Sequence, residues 1–65
     1  MVVRDFTSNI VDGMFRIVDA NKTGYLFNPS ILYEGDRNIV NQFYGDRTVI
    51  CYEAIKKNWI ALYIK

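Results

Sequence analysis

The residue types that usually carry catalysis are scarce in this chain. It contains no histidine, which removes the commonest general base at neutral pH and the commonest transition-metal ligand. Its one cysteine, Cys51, cannot form a zinc site or an internal disulfide by itself. The four glycines are too dispersed for a phosphate-binding loop, and none is followed by Lys-Ser or Lys-Thr. The composition therefore predicts no catalytic residue, no metal site and no cofactor.

Two carboxylates are the remaining candidates for acid–base chemistry. Asp36 and Asp46 each precede an arginine, in the repeated tripeptide Gly-Asp-Arg. Surface ion pairs beside turns explain this pattern more simply than a catalytic pair of carboxylates does. We therefore predict that the protein is not an enzyme.

Aromatic residues lie near basic residues in the second half of the chain. Such side chains can stack on bases and contact phosphates. The net charge is only +1, with eight basic and seven acidic residues, so no strong field directs the protein to nucleic acid. Binding of single-stranded nucleic acid is therefore our alternative prediction. Its candidate patch consists of Tyr33, Arg37, Tyr44, Arg47, Lys56 and Lys57.

The longest apolar stretch of the chain runs from residue 47 to residue 65. Three polar residues at 56–58 divide it into two predicted strands, 48–55 and 59–64, which would form a C-terminal hairpin. Alternation places apolar residues on both faces of both strands. The alternative is one amphipathic helix, because apolar residues also recur there at intervals of three and four.

Apolar residues on both faces are typical of strands that are covered on both sides. A chain of 65 residues can hardly supply two covering layers. We therefore predict that another molecule, either a protein partner or a second copy in a homodimer, covers one face. The expected interface consists of Val49, Cys51, Trp59 and Tyr63, although the apolar surroundings of Cys51 also suit a small buried residue.

The first half of the chain predicts a hairpin and a helical segment. Residues 14–27 alternate around a turn at 21–24, which indicates an N-terminal hairpin. Asn28-Pro29 could begin a short helix that ends at Gly35. Asp36 could cap a second helix, which Gly45 would end.

These elements predict a single α+β domain over residues 1–65. It would contain the N-terminal hairpin, a short helix within 29–44 and the C-terminal hairpin across 48–64. The repeat of Gly-Asp-Arg ten residues apart leaves an all-β meander or small six-stranded barrel as the alternative fold. The predicted core consists of Phe15, Ile17, Leu26, Ile39, Val40, Phe43, Ile50, Ile60, Leu62 and Ile64.

The segment from Phe15 to Leu26 resembles an EF-hand. In that family a helix leads into a loop with oxygen ligands at positions one, three and five and glycine at position six. Those positions are filled here by Asp19, Asn21, Thr23 and Gly24. The twelfth position, where the family has glutamate, is Ser30, which leaves Asp19 as the one charged ligand. A calcium-responsive element is thus the third predicted function.

Composition also suggests a cellular setting. The N-terminus lacks the apolar run of a signal peptide, and no run of about 18 apolar residues is present to span a membrane. A lone cysteine without a disulfide partner favours the cytoplasm. We predict a small non-enzymatic regulator that acts by protein–protein contact, and its size and composition suggest a phage or mobile-element inhibitor of a host protein.

Overall fold

The computed structural model describes residues 1–10, 13–21 and 31–65, and these form one four-stranded sheet with two helices. The predicted α+β class is confirmed. The elements are α1 (Val3–Thr7), β1 (Met14–Asp19), β2 (Ile31–Asp36), α2 (Arg37–Tyr44), β3 (Val49–Lys56) and β4 (Trp59–Ile64).

The sheet has the strand order β2-β1-β4-β3. Its two central strands, β1 and β4, pair in parallel from Met14 opposite Trp59 to Asp19 opposite Ile64. The outer strands are antiparallel to their neighbours. Residues near the two ends of the chain therefore form the middle of the sheet, and β2 and β3 form its edges.

The predicted C-terminal hairpin is confirmed, and the helical alternative for this segment is wrong. β3 pairs with β4 in antiparallel orientation, and Lys56 lies opposite Trp59. Lys57 and Asn58 alone make the turn, so Lys56 belongs to the strand rather than to the connection. Asn58 has a φ of 64°, a left-handed conformation that asparagine adopts more readily than most residues.

The first hairpin differs from the prediction. β1 forms as expected, but its antiparallel partner among the described residues is β2, where we expected a helical turn. The predicted returning strand up to Phe27, with most of its turn, lies outside the described residues. Ile31, Leu32 and Tyr33 are good strand formers, and pairing with β1 outweighs the helix-start signal at Asn28-Pro29.

Helix α2 begins and ends where its sequence signals predict. The Asp36 carboxylate accepts a hydrogen bond from the Ile39 backbone N–H at 3.1 Å, which caps the first turn. At the other end, the Gly45 backbone N–H donates to the Asn41 carbonyl at 3.0 Å. A Cβ atom at Gly45 would overlap that carbonyl oxygen and the Arg4 guanidinium, so this position requires glycine.

Both helices pack against one face of the sheet and close a small core. Phe15 and Ile17 from β1 and Leu62 and Ile64 from β4 meet Val40 of α2, as predicted, while Ile60 packs partly buried beside them. Val3 of α1, which we did not predict, completes this cluster. Leu26 lies outside the described residues.

Three predicted core residues are instead exposed, and the prediction was wrong for them. Ile39 and Phe43 lie four residues apart on one stripe of α2, while Val40 and Tyr44 occupy the stripe that meets the sheet. Phe43 keeps 64% of its surface in solvent. Ile50 lies on edge strand β3, where the register shifts between Val49 and Cys51.

Two residues of the central strands are also buried on the face away from the helices. Val18 and Ala61 are as fully buried as the core, although they point away from the helix-packed face. On this second face of β4, Ala61 is buried, whereas Trp59 and Tyr63 are only partly buried. Among the described residues, no helix is long and apolar enough to cross a membrane.

The two isoleucines of the C-terminal hairpin provide a matched test of this core. Replacing buried Ile64 by alanine should lower the free energy of unfolding by about 2–5 kcal/mol, through lost burial and a residual cavity. The same change at half-exposed Ile50 should cost about 1 kcal/mol or less. Urea unfolding of both variants in dilute solution measures the difference, and equal losses would contradict the register of β3.

Candidate functional site

The outer edge of β3 is partly covered by the start of the chain. Val2 forms an antiparallel bridge with Thr48. The Val49 N–H donates to the Met1 carbonyl at 2.8 Å, and the Val3 N–H donates to the Arg47 carbonyl at 2.9 Å. This short pairing ends at Val49. From Ile50 to Lys56, no described residue pairs with the outer edge.

A groove lies beside this edge, between β3 and the N-terminal region around α1. Its volume is about 570 Å³. The rings of Phe6 and Tyr52 approach within 4.8 Å between centroids. The groove and the unpaired stretch Ile50–Lys56 together are called the β3 edge surface below. The groove is lined by Met1, Phe6, Asn9, Ile10, Val49, Ile50, Cys51 and Tyr52.

Large apolar side chains are exposed along the β3 edge surface. Tyr52 is 62% exposed and Ile50 is 51% exposed. Charge, bulges and short length usually protect edge strands from pairing with other chains. β3 has register shifts on both sides of the stretch Cys51–Ala54, and its charged residues are Glu53 and Lys56. The stretch Cys51–Ala54 is therefore regular and carries one charge, at Glu53.

The predicted interface residues do not share one surface. Cys51 lies opposite Tyr63, and register with β1 places Trp59 and Tyr63 on the sheet face away from the helices. Val49 lies opposite Ile64 and packs against the helix-side core. The register shift after Val49 reverses the alternation that we assumed. Cys51 is exposed, so the expectation that it is buried is wrong.

Polar contacts occupy much of the face that carries Trp59 and Tyr63. The Tyr63 hydroxyl donates to the Glu53 carboxylate at 2.7 Å, and Arg16 pairs with Glu34. The Lys56 ammonium lies 4.8 Å from the centroid of the Trp59 ring. Trp59 and Tyr63 are each partly buried by these neighbours. This face therefore offers less free apolar surface than the β3 edge surface does.

Our sequence reasoning missed the residues of the β3 edge surface. We assigned Ile50 to the core, and we considered neither Tyr52 nor Phe6 as an interface residue. A usable signal was present in the difference between the two strands. Residues 59–64 contain no charge, which suits a central strand, whereas residues 49–56 include Glu53 and Lys56, which suits an edge.

The four basic residues of the predicted nucleic-acid patch are divided between the two ends of the sheet. Arg37 donates to the Ile10 carbonyl at 3.1 Å, near the start of β1 and at the same end as Lys56 and Lys57. Arg47 donates to the Lys65 carbonyl at 2.6 Å, at the opposite end. The two remaining members, Tyr33 and Tyr44, pack partly buried against the core.

Asp36 and Asp46 have separate structural roles. Asp36 caps the N-terminus of α2, whereas Asp46 lies beyond its C-terminus and forms an ion pair with Arg4. The eight residues of α2 between them span about 12 Å. The two carboxylates therefore do not form an acid–base pair. No group of three potential metal-ligating side chains occurs within residues 1–10, 13–21 and 31–65.

The segment that resembles an EF-hand does not begin with the helix that this family has. Met14–Asp19 is strand β1. The Asp19 carboxylate accepts a hydrogen bond from the Asn21 backbone N–H at 2.9 Å, which stabilises the turn after the strand. The following loop positions, 22–30, lie outside the described residues. The chain therefore lacks the helix that precedes the calcium-binding loop in an EF-hand.

A scan of protein-family models found no match to this chain, and searches of the curated proteins and of the solved structures found none either.

The hydrogen bond from Tyr63 to Glu53 predicts that the Tyr63 hydroxyl loses its proton at a higher pH than a free tyrosine does. The hydrogen bond to Glu53, followed by burial and the negative charge of Glu53, raises the pKa of Tyr63 above its ordinary value of 10.0. Because the folded-state pKa is raised, this contribution to stability is complete below pH 10.0 and is lost as the pH rises through the folded-state pKa. NMR of labelled tyrosine rings should show the shift.

The variant Glu53→Gln should bring the Tyr63 pKa back toward 10.0, since it removes the negative charge. Asp46→Asn is the matched control, because Asp46 pairs with Arg4 and does not contact Tyr63. An unchanged Tyr63 pKa in Glu53→Gln would mean that another group causes the shift.

Proposed function

We propose that the chain is a cytoplasmic, non-enzymatic binding protein that acts by protein–protein contact through its β3 edge surface. The supporting observation is the juxtaposition of an unpaired strand edge, Ile50–Lys56, with an apolar groove beside it. Regulation or inhibition of the bound protein is the corresponding role. A phage or mobile-element origin remains part of this proposal on the grounds of size and composition.

The unpaired strand edge and the groove would contact a bound protein in two different ways. The edge presents backbone N–H and C=O groups that can pair with an added strand, whatever its sequence. The groove then selects side chains, because apolar groups that enter it leave water. The bridge between Met1–Val3 and Arg47–Val49 supports this proposal, because the first part of the same strand edge already has an antiparallel neighbour from within the chain.

Exposed aromatic residues support the same surface. Tyr52 lies at the middle of the edge and touches Phe6 at the rim of the groove. Tyrosine is enriched among residues that dominate binding energy, because it buries a large area and loses little conformational freedom. Ile50 adds exposed aliphatic area next to it. Nucleic-acid binding has less support, since its predicted patch is divided.

The test is affinity capture from cell extract with three immobilised proteins. Wild type and Phe43→Lys should retain the same specific partner, or the chain itself, and Tyr52→Lys should lose it. Both variants place a lysine at an exposed aromatic position, but Phe43 lies on α2, away from β3. Lysine at position 52 removes the apolar contact with Phe6 and adds a charge beside the groove.

Circular dichroism must first establish that both variants fold. Specific contacts that persist in Tyr52→Lys, or that are lost in Phe43→Lys alone, would contradict the assignment to the β3 edge surface. If neither a partner nor self-association depends on Tyr52, the proposed function fails.

A further inference from the structure

We infer that the partner segment recognised by the β3 edge surface is a short extended strand in which a basic residue stands between two apolar residues. This inference rests on the proposed function and specifies the chemistry that the surface recognises. The apolar side chains would enter two cavities on the helix-packed side of β3, and the basic side chain would meet Glu53 on the other side.

A second cavity continues the groove along the helix-packed side of β3. It has a volume of about 280 Å³, and Ala54, Ile60 and Phe15 contribute to its lining. Ala54 and Phe15 lie opposite Ile60 on its two sides, so these three residues form one row across the sheet. Ile10 lines both this cavity and the groove. The two cavities are therefore neighbours along one strand.

Two side chains of β3 belong to these two cavities. Tyr52 lines the groove, and Ala54 lines the second cavity. They lie opposite Leu62 and Ile60, which pack in the core beneath the helices. Tyr52 and Ala54 are thus two positions apart on one face, and a guest strand paired with β3 has the same period. Its side chains at i and i+2 would point into the two cavities, where apolar groups leave water.

On the other face, the same stretch carries a negative charge. Glu53 lies opposite Ala61 and is exposed. The Tyr63 hydroxyl donates to one of its carboxylate oxygens, Oε1. Among the described residues, no cation forms an ion pair with this carboxylate. A basic side chain directly opposite Glu53 on the guest strand would therefore form a complementary charge pair.

The first residues of the chain limit the guest strand to a short segment. Met1–Val3 pairs with the outer edge of β3 as far as Val49, and β3 ends at Lys56. The free edge therefore spans residues 50–56, and its regular part is Cys51–Ala54. A pentapeptide centred opposite Glu53 would pair with residues 51–55 and would not contact Met1–Val3.

The pentapeptide acetyl-Thr-Ile-Lys-Ile-Thr-amide, called the lysine peptide below, is the probe. Its side-chain pattern is the same in both directions, so it tests parallel and antiparallel pairing alike. With its lysine opposite Glu53, its isoleucines lie opposite Tyr52 and Ala54. Shifts of the backbone amide NMR signals of the labelled chain measure binding. Peptide concentrations up to about 5 mM are needed, because an isolated short strand should bind weakly.

Two altered peptides test the two parts of the pattern. Glutamate in place of the lysine should raise the dissociation constant about threefold to tenfold, because like charges directly opposite each other destabilise a strand pair. Serine in place of both isoleucines should abolish the shifts, because it leaves the cavities filled with water. Equal binding of the lysine and glutamate peptides, or no binding of the lysine peptide at about 5 mM, would overturn the inference.

Variants of the chain test the role of Glu53. Glu53→Lys should reverse the preference between the lysine and glutamate peptides, and Glu53→Gln should remove it. Glu34→Lys is the matched control and should keep the wild-type preference. Glu34 is a carboxylate in the same row of the sheet, but it belongs to β2 at the opposite edge. A Glu53→Lys chain that still prefers the lysine peptide would contradict the charge pair.

The outcomes also separate this inference from the proposed function. If partner capture depends on Tyr52 but the chain does not prefer the lysine peptide, the binding function stands and the recognised chemistry is wrong. If capture does not depend on Tyr52, the function itself fails. Amide shifts at residues 50–56 that depend on the concentration of the chain alone would identify a second copy as the occupant and would overturn the inference.

Discussion

The structure depends on the parallel pairing of β1 with β4. This pairing joins Met14–Asp19 to Trp59–Ile64, so residues 45 positions apart form the middle of the sheet. Parallel neighbours require a long connection, and in this chain the connection contains β2, α2 and β3. Because β1 and β4 supply Phe15, Ile17, Leu62 and Ile64, they also provide most of the core beneath the helices.

That arrangement determines which surfaces are covered and which are free. β4 gains a neighbour on each side and is largely buried, whereas β3 gains one complete neighbour and remains exposed on most of its residues. Met1–Val3 covers only the first part of the outer edge of β3. The functional proposal follows from this asymmetry, because an unpaired edge beside a groove can bind another strand.

Local signals in the sequence predicted the elements that depend on local interactions. The Asp36 cap, the Gly45 stop and the polar turn before Trp59 correctly located α2 and the C-terminal hairpin. β2 could not be found in this way, since its conformation depends on pairing with β1 rather than on its own start and stop signals. The apolar stripe of Ile39 and Phe43 was equally misleading, because a small sheet covers only one side of a short helix.

The candidate site was harder to predict than the fold class. Residues 48–64 are apolar on both faces of both strands, yet β4 is largely buried and β3 is largely exposed. Which of two adjacent strands is central depends on the distant strand β1, and hairpin periodicity carries no information about it. The register shift between Val49 and Cys51 then separated residues that simple alternation had grouped on one face.

The most direct test of the central claim is a titration of the chain with the lysine peptide, followed in backbone amide NMR spectra. We expect shifts at residues 51–55 and at Phe6, with little change on α2 around Ile39 and Phe43. A dilution series of the chain alone is the control. Spectra that do not change at any concentration would exclude self-association through the β3 edge surface. Shifts on peptide addition that are confined to α2 and β2 would contradict β3 as the binding surface.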